Sequence, residues 1–404
     1  MQQNTGENFS DGKLFVPSLT VAYFSACIIE SLTGIFLMDI TLTFFGSTDT
    51  VSIATASQLV TISAVASVIF GLLLGALSVR FSHKKLLVLG VLCVLMGTLG
   101  CLLAPNFLFI QIFYPVEGIG TVAISAMAFA IVGEFLIVSK RGKATGWIIA
   151  GGPIAGIVAS VVISFFFSGA ESWRSYLLWF ALPISLIALT AAQLGIPSFS
   201  RKQKTVEEKS YLSSFKQVFM KKSAVGCLIG NMTRQAGLAW ALVYSATFFR
   251  EQFDLSLASV ALISLGTTLL FVLGSITGGQ LVNRIGRKRL LITTLVVSAP
   301  ALAIIAFVPN LWIALTIGLA GGFIYSVGFA GSVNLTLEQA PESRGTMMSV
   351  STIFITLGLG IGTALGGAAL AFFKNYASLI LTFAAIQLAA AAIYFFLTKD
   401  PCKT

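Results

Sequence analysis

Two stretches of this sequence, GALSVRFSHKKLL at residues 75–87 and GQLVNRIGRKRLL at residues 279–291, repeat each other at an offset of 204 residues. Each is a short basic loop between two long apolar runs. The same register aligns the Phe-Phe pair at 44–45 with the pair at 248–249, and Glu134 with Glu338. The sequence therefore predicts two duplicated halves.

The composition predicts a membrane protein. Of the 404 residues, 56% are hydrophobic and only 10% are charged, and the mean hydropathy is +0.94, so the chain lacks the polar surface of a water-soluble protein. A spanning helix needs about 20 mostly apolar residues. We predict twelve spans, at residues 16–39, 51–78, 86–103, 107–133, 144–167, 175–196, 223–249, 257–282, 289–308, 311–337, 346–372 and 376–397.

One connector is much longer than the others and lies at the midpoint of the chain, at residues 197–222. We interpret it as a linker between the two halves. The predicted organisation is an N-terminal tail, a six-helix bundle, the linker, a second six-helix bundle and a C-terminal tail, at residues 1–15, 16–196, 197–222, 223–397 and 398–404.

The basic residues predict the orientation, because loops rich in Lys and Arg stay in the cytoplasm. Most of the 25 Lys and Arg residues fall on one side if both termini are cytoplasmic. We therefore expect a multi-pass protein of the plasma (inner) membrane. The same placement explains the net charge of +10 through anionic lipid, so we expect no nucleic acid partner.

The two basic loops resemble the signature between spans 2 and 3 of the major facilitator superfamily, a pattern similar to GxLxDRxGRK. In the second copy two glycines and the basic residues match, and Asn283 stands at the acidic position. The first copy keeps Gly75, Leu77, Arg80 and Lys84, with Val79 at the acidic position and Ser82 in place of a glycine. In the family this motif is a cytoplasmic gate; simple positive anchoring is the alternative. The gate candidates are Gly75, Arg80, Lys84, Gly279, Asn283, Arg284, Gly286 and Arg287.

The residues give a physical reason for such a motif, since glycine permits close helix approach and Lys or Arg can donate to helix C-terminal carbonyls. The resemblance covers essentially the whole chain. It implies an all-α membrane protein with twelve transmembrane helices in two pseudo-symmetric six-helix bundles, with spans 1, 4, 7 and 10 around a central cavity.

Few charges lie inside the predicted spans, and a charge there is costly. Glu30 lies in span 1, Glu117 in span 4 and Arg234 in span 7. The repeat offset makes Glu30 and Arg234 equivalent positions of the two halves. We therefore predict that they pair in at least one conformation, either as a couple that protonation or substrate breaks, or as a static salt bridge.

Glu117 lies in the string YPVEGIG, three residues after Tyr114, and these two side chains share a helix face. We expect the carboxyl to carry a proton, or to serve as a structural hydrogen-bonded acid. Further candidates for substrate binding on the same set of spans are Asn231, Trp240, Tyr244 and Tyr325.

Span 5 contains Gly152, Pro153 and Gly156, which match a GPxxG pattern that resembles the antiporter motif of drug and proton exchangers. A proline flanked by glycines gives a pliable, closely packed helix. A generic kinked transmembrane helix is the alternative. The resemblance favours export.

These observations predict a proton-coupled exporter of an amphipathic organic small molecule that works by alternating access. An uptake symporter or uniporter for a sugar, organic anion or nucleoside is the alternative, with Arg234 holding an anionic group. No phosphate-binding loop or zinc motif is present, so we expect no enzyme activity, no metal and no cofactor other than the coupling proton. The expected partners are the substrate and the lipid bilayer, and the protein is expected to be a monomer.

Overall fold

A computed structural model describes residues 14–136, 138–167, 172–197 and 218–401. These residues form helices and their connections, with no β-strand among them. The helices of the first half are Phe15–Ile29, Ser31–Gly34 and Leu37–Phe45 (together span 1), Thr50–Arg80 (span 2), His83–Leu102 (span 3), Phe107–Phe135 (span 4), Val138–Phe166 (span 5), and Ser172–Tyr176 continued by Leu177–Ala181 and Leu182–Gly195 (span 6).

The second half has the corresponding series. Its helices are Lys222–Ala239 continued by Trp240–Tyr244 and Ser245–Phe253 (span 7), Leu257–Ile285 (span 8), Arg287–Ile305 (span 9), Leu311–Gln339 (span 10), Arg344–Phe373 (span 11) and Tyr376–Leu397 (span 12). A short 3-10 helix, Pro341–Ser343, precedes span 11.

Eleven of these helical segments, within the residues described, are long and apolar enough to cross a membrane. The remaining predicted span, span 7, does not meet that measure. It is divided by a π-helical segment at Trp240–Tyr244, and its first helix contains Asn231 and Arg234. The least apolar span is thus the one with the polar groups at its centre.

The duplication extends to how helices begin. Asn106 precedes span 4, and its side chain accepts a hydrogen bond of 3.0 Å from the Phe109 amide. Asn310, at the equivalent position before span 10, accepts from the amides of Trp312 and Ile313 at 3.0 and 3.2 Å. Asparagine at this position satisfies amides that lack an intrahelical partner. Both halves therefore define the start of the same helix by the same side chain.

Spans 1 and 7 are both interrupted, and at equivalent positions. The last helix of span 1 is preceded by non-helical Phe36, and the π-helical segment of span 7 begins at Trp240, 204 residues later. Gly34 allows a close contact here, because a Cβ on this residue would lie 2.9 Å from the Leu242 carbonyl oxygen. Irregular backbone of this kind is concentrated at functional positions of membrane helices.

By its contacts the chain divides into two compact units. The first unit contains Met1–Leu32 and Ala66–Lys202, and the second contains Thr33–Val65 and Gln203–Thr404. Spans 1 and 2 therefore each contribute to both units, whereas the sequence predicts a boundary only at the linker. The predicted bundles at 16–196 and 223–397 stay a prediction, and most of the predicted linker, residues 198–217, lies outside the described residues.

Within the second unit, the segment Thr33–Val65 packs closely on spans 7 and 11. Asp39 forms an ion pair with Arg250 of span 7, and both side chains are largely buried. The Thr61 hydroxyl donates to the Gly360 carbonyl at 3.2 Å, and a Cβ on Gly360 would lie 2.7 Å from the Ala64 side chain. Small residues thus permit close helix contact here, as is typical of membrane helices.

Candidate functional site

Glu117 is buried in the first unit, with 3% of its surface exposed. Its carboxyl accepts a 2.7 Å hydrogen bond from Thr121, one helical turn later on span 4. Span 3 approaches closely at this point, because a Cβ on Gly97 would lie 2.7 Å from the Glu117 Cβ. Sequence reasoning found Glu117 but missed Thr121, although its i+4 spacing was a usable signal. Tyr114 is buried one turn earlier.

Glu30 ends the first helix of span 1 and is exposed. Tyr23 and Cys27 precede it by seven and three residues and so lie on the same face of the helix. Glu30 and Glu117, two of the sequence-predicted acids, both belong to the first unit.

The GPxxG motif of span 5 packs against this same face of span 1. A Cβ on Gly152 would lie 3.5 Å from the Tyr23 ring and 3.7 Å from the Cys27 sulfur. Pro153 lies inside the helix Val138–Phe166, and Gly156 follows it one turn later on the same helix. Sequence reasoning identified the motif and Glu30 separately, and missed Tyr23 and Cys27 between them.

The helix break after Glu30 has its own hydrogen-bond partners. The Ile28 carbonyl oxygen accepts from the Ser31 hydroxyl at 2.6 Å and from the Tyr176 hydroxyl of span 6 at 3.1 Å. Carbonyls at a helix end need such partners in apolar surroundings. The interruption beside Glu30 is therefore stabilised from span 6.

Arg234 lies in the second unit, on span 7, with 4% of its surface exposed. Its guanidinium carbon lies 4.6 Å from the centre of the Tyr325 ring and 5.5 Å from that of Phe329, both on span 10. The Nε and Nη2 atoms of this arginine have no hydrogen-bond partner in the part of the chain that the structure describes. Because Glu30 belongs to the first unit, its predicted pairing with Arg234 stays a prediction.

Asn231, one turn before Arg234, is the centre of a buried hydrogen-bond network in the second unit. Its amide nitrogen donates to the hydroxyls of Thr336 (2.8 Å) and Ser351 (2.9 Å). Its amide oxygen accepts from Ser332 (3.0 Å) and Tyr394 (2.6 Å). All four hydrogen-bonding positions of the amide are therefore used within the protein, which joins spans 7, 10, 11 and 12.

Trp240 and Tyr244 are buried inside the second unit. The Tyr244 hydroxyl is within hydrogen-bond distance of Ser57 (2.8 Å) and of the Thr363 carbonyl (2.7 Å). The ring of Trp240 contacts those of Phe248 and Phe383. The Tyr244 hydroxyl is thus already hydrogen-bonded inside this unit. That Trp240 and Tyr244 contact substrate stays a prediction.

Equivalent lysines of the two basic loops, Lys84 and Lys288, cap the C-termini of other helices. Lys84 donates to the carbonyls of Gln193 and Ile196 at the end of span 6. Lys288 donates to those of Phe395 and Thr398 at the end of span 12, at 2.8 and 2.7 Å. A cation at a helix C-terminus is favourable because the carbonyls there lack intrahelical partners.

The glycines of the motif do not have the packing role expected from the sequence. A Cβ on Gly75 or Gly279 would meet nothing within 4 Å, so the expected close helix approach is wrong for this conformation. Both glycines lie on exposed faces of their helices. The remaining gate candidates are also at the surface: Arg80, Asn283 and Arg284 are exposed, and Arg287 is half-buried.

Gly286 has a conformational role instead. Its φ of 92° and ψ of 144° fall in a region that side-chain-bearing residues rarely adopt, and it joins spans 8 and 9. At the equivalent position of the first half, Ser82 has an ordinary φ of −66° and caps the next helix through its hydroxyl. The two copies of the loop therefore make the same turn with different backbones.

Replacing Gly286 by alanine should lower the stability of the second half by about 1 to 3 kcal/mol, because the side chain strains this turn. The midpoint of thermal unfolding of the purified protein in detergent measures the change. Gly279→Ala is the matched control, since its helical position has open space and should lose nothing. Equal losses in both variants would contradict a role for the φ of Gly286.

The chain has clear relatives. A family model described as Major Facilitator Superfamily matches residues 19–265 and, in a second match, 235–404. The MFS-type transporter YceJ of Bacillus subtilis (strain 168) is 23% identical over 332 residues, which is 78% of this chain and 80% of that protein. Multidrug resistance protein 2 of the same organism is 24% identical over 334 residues, covering 78% and 79% of the two chains.

The fold is also found among solved structures. A bacterial homolog of the human lysosomal transporter Spinster, crystallised in an inward-facing and unoccupied conformation, aligns with a TM-score of 0.79 at 17% identity, covering 95% of this chain and 96% of that one. Together these matches confirm the predicted family and the predicted helical membrane fold.

Proposed function

The chain belongs to the Major Facilitator Superfamily, and we propose that within this family of multi-pass membrane transporters it is a proton-coupled exporter of amphipathic organic molecules. The proposal includes an alternating-access cycle and a plasma-membrane topology with both termini in the cytoplasm.

One observation supports proton coupling above the others: the first unit contains two carboxyls within its spans, Glu30 on span 1 and Glu117 on span 4. An ionised carboxyl at membrane depth is costly, and binding a proton removes that cost. Glu117 is buried with a hydroxyl partner, whereas Glu30 is exposed. This arrangement suits a relay in which Glu30 exchanges protons with water and Glu117 retains one.

Two further observations support export. The span 5 motif, which resembles that of drug and proton exchangers, packs on the face of span 1 that leads to Glu30. A change in span 5 can therefore be transmitted to the titrating group. Among the relatives, one that matches over most of its length is named a multidrug resistance protein.

The proton gradient is large enough for this work. A membrane potential of about 100 mV with roughly half a pH unit supplies about 3 kcal/mol per proton, which supports about a hundredfold substrate gradient. One proton per substrate would be sufficient.

Uptake by symport is the second candidate, and the buried guanidinium of Arg234 is the observation that favours it. A cation at this depth suits a nutrient with an anionic group. The two candidates differ in the direction of proton movement when substrate enters a vesicle.

The test uses purified protein in liposomes loaded with the pH indicator pyranine, to which neutral, cationic and anionic amphipathic compounds are added. Exchange predicts that an entering compound drives protons out and raises the internal pH, whereas symport lowers it. We expect Glu30→Gln to abolish the proton signal, because the amide cannot titrate.

Glu251→Gln is the matched control. Glu251 accepts a 2.6 Å hydrogen bond from Tyr376, which a glutamine oxygen can also accept, so coupling should persist. Internal acidification by every transported compound would overturn export, and an unchanged proton signal in Glu30→Gln would overturn the role of this residue.

A further inference from the structure

We propose that the Nε–Nη2 edge of Arg234 is the binding site for the carboxylate of an organic anion whose apolar body contacts the neighbouring aromatic rings. This inference rests on the transport function proposed above, whichever its direction, and names the substrate class of that transport: an amphipathic carboxylate.

The two unpartnered atoms belong to the same side of the guanidinium. Nε–H and one Nη2–H point in parallel, and together they match the two oxygens of a carboxylate. Arg234 is the one residue in the described ranges that has two buried side-chain nitrogens or oxygens without a hydrogen-bond partner. Buried polar groups usually have partners, and a buried charge without them is costly, so an edge left open requires an explanation.

The guanidinium is held in place by its surroundings. The Tyr325 ring lies under it at 4.6 Å, and the Tyr325 hydroxyl donates to the backbone carbonyl of Arg234 itself at 2.9 Å. The tyrosine is thus fixed to the helix that carries the arginine. A cation positioned in this way binds an anion with little loss of side-chain freedom.

The nearby amide does not compete for the open edge. Asn231, one turn away, has all four positions occupied by Thr336, Ser351, Ser332 and Tyr394. The second unit therefore satisfies its buried polar groups next to Arg234 and leaves this edge unsatisfied.

The rings beside the charge indicate the rest of the ligand. Phe329 lies 5.5 Å from the guanidinium carbon, is partly exposed, and contacts the Phe271 ring at 5.5 Å. A planar apolar body can lie against such rings while its carboxylate binds Arg234. This combination selects against inorganic anions and against organic cations.

The experiment compares 2-naphthoate with its neutral analogue 2-naphthamide, using thermal unfolding of the purified protein in detergent without any ion gradient. We expect 2-naphthoate at saturation to raise the unfolding midpoint of the wild type and 2-naphthamide to leave it unchanged. Arg234→Lys keeps the charge but loses the bidentate edge, so it should weaken 2-naphthoate binding at least about tenfold.

Arg234→Met separates a binding role from a structural one. For a binding site the variant without ligand should unfold at the same temperature as the wild type or higher, because a buried unsatisfied charge is removed, and its response to 2-naphthoate should vanish. A structural arginine would instead give a large fall in the midpoint.

Arg174→Met is the matched control. Arg174 also stacks on an aromatic ring, Trp173 at 4.9 Å, and also has an unpartnered Nε, but its Nη2 donates to the Ala104 carbonyl at 2.9 Å. The Nε–Nη2 edge of Arg174 is therefore partly hydrogen-bonded within the protein. Arg174→Met should respond to 2-naphthoate like the wild type.

Glu30→Gln tests whether the open edge of Arg234 binds the Glu30 carboxyl, as the sequence predicts, and not an external ligand. Unchanged or stronger 2-naphthoate binding in this variant supports an external ligand. Equal shifts with 2-naphthoate and 2-naphthamide, a retained response in Arg234→Met, or no response in both wild type and Glu30→Gln would overturn the inference. These measurements involve no ion gradient, so they test ligand binding separately from transport. The carboxylate site can fail this test while proton-coupled export holds, and export can fail its own test while the carboxylate site holds.

Discussion

Replacing Asn231 by leucine is expected to lower the free energy of unfolding by about 3 to 5 kcal/mol, because four buried hydroxyls each lose a hydrogen-bond partner. Those hydroxyls belong to spans 10, 11 and 12, so the loss affects the whole second unit at once. Leucine has the same number and branching of side-chain heavy atoms as asparagine but cannot form hydrogen bonds, so the substitution tests the amide. Chemical unfolding of the purified protein in detergent measures the difference.

Asn334→Leu is the matched control for that prediction. Asn334 lies on span 10 and makes one local hydrogen bond, from its amide nitrogen to the Ala330 carbonyl at 2.8 Å. The same substitution there should cost less than about 1 kcal/mol. A loss at Asn231 no larger than at Asn334 would contradict the role of the network.

The second large effect is expected from Glu117→Gln, which should reduce proton-coupled transport about a hundredfold or more while the protein stays folded. Glutamine preserves the size of the side chain and can still accept the hydrogen bond from Thr121. It cannot bind and release a proton. The measurement is the initial rate of substrate-driven proton movement in liposomes, compared at equal protein content.

Thr121→Val completes this test, because it removes the hydrogen bond and keeps the carboxyl. If Glu117 works by titration, Thr121→Val should retain most of the transport that Glu117→Gln loses. If Glu117 is a structural acid, the order reverses: Glu117→Gln transports normally and Thr121→Val unfolds at a lower temperature. These opposite orders distinguish the two roles that the sequence leaves open.

The sequence predicted the spans closely because hydropathy is a property of composition and needs no tertiary information. Span 12, for example, is predicted at 376–397 and observed at Tyr376–Leu397. The breaks inside spans 1 and 7 were not predicted, since they depend on contacts such as that of Gly34 with the Leu242 carbonyl. No local pattern marks a contact between residues more than 200 positions apart.

The site was predicted in part. Charges in apolar segments are conspicuous in a sequence, so Glu30, Glu117 and Arg234 could be proposed as candidates. The partners that define their chemistry, such as Tyr325 stacked on Arg234, come from other spans and have no local signal. The packing role expected for Gly75 was wrong, because a Cβ on this residue would meet nothing within 4 Å. The sequence shows a glycine but does not show whether another helix lies beside it.

Span 2 is one continuous helix from Thr50 to Arg80, although its residues up to Val65 belong to one unit and those after it to the other. An unbroken helix resists bending along its whole length, because every backbone hydrogen bond in its interior is made within the helix. Span 1 is interrupted at Glu30 and again at Ile35 and Phe36, so a few backbone rotations can bend it there. Of the two spans that contribute to both units, span 2 is therefore the stiffer.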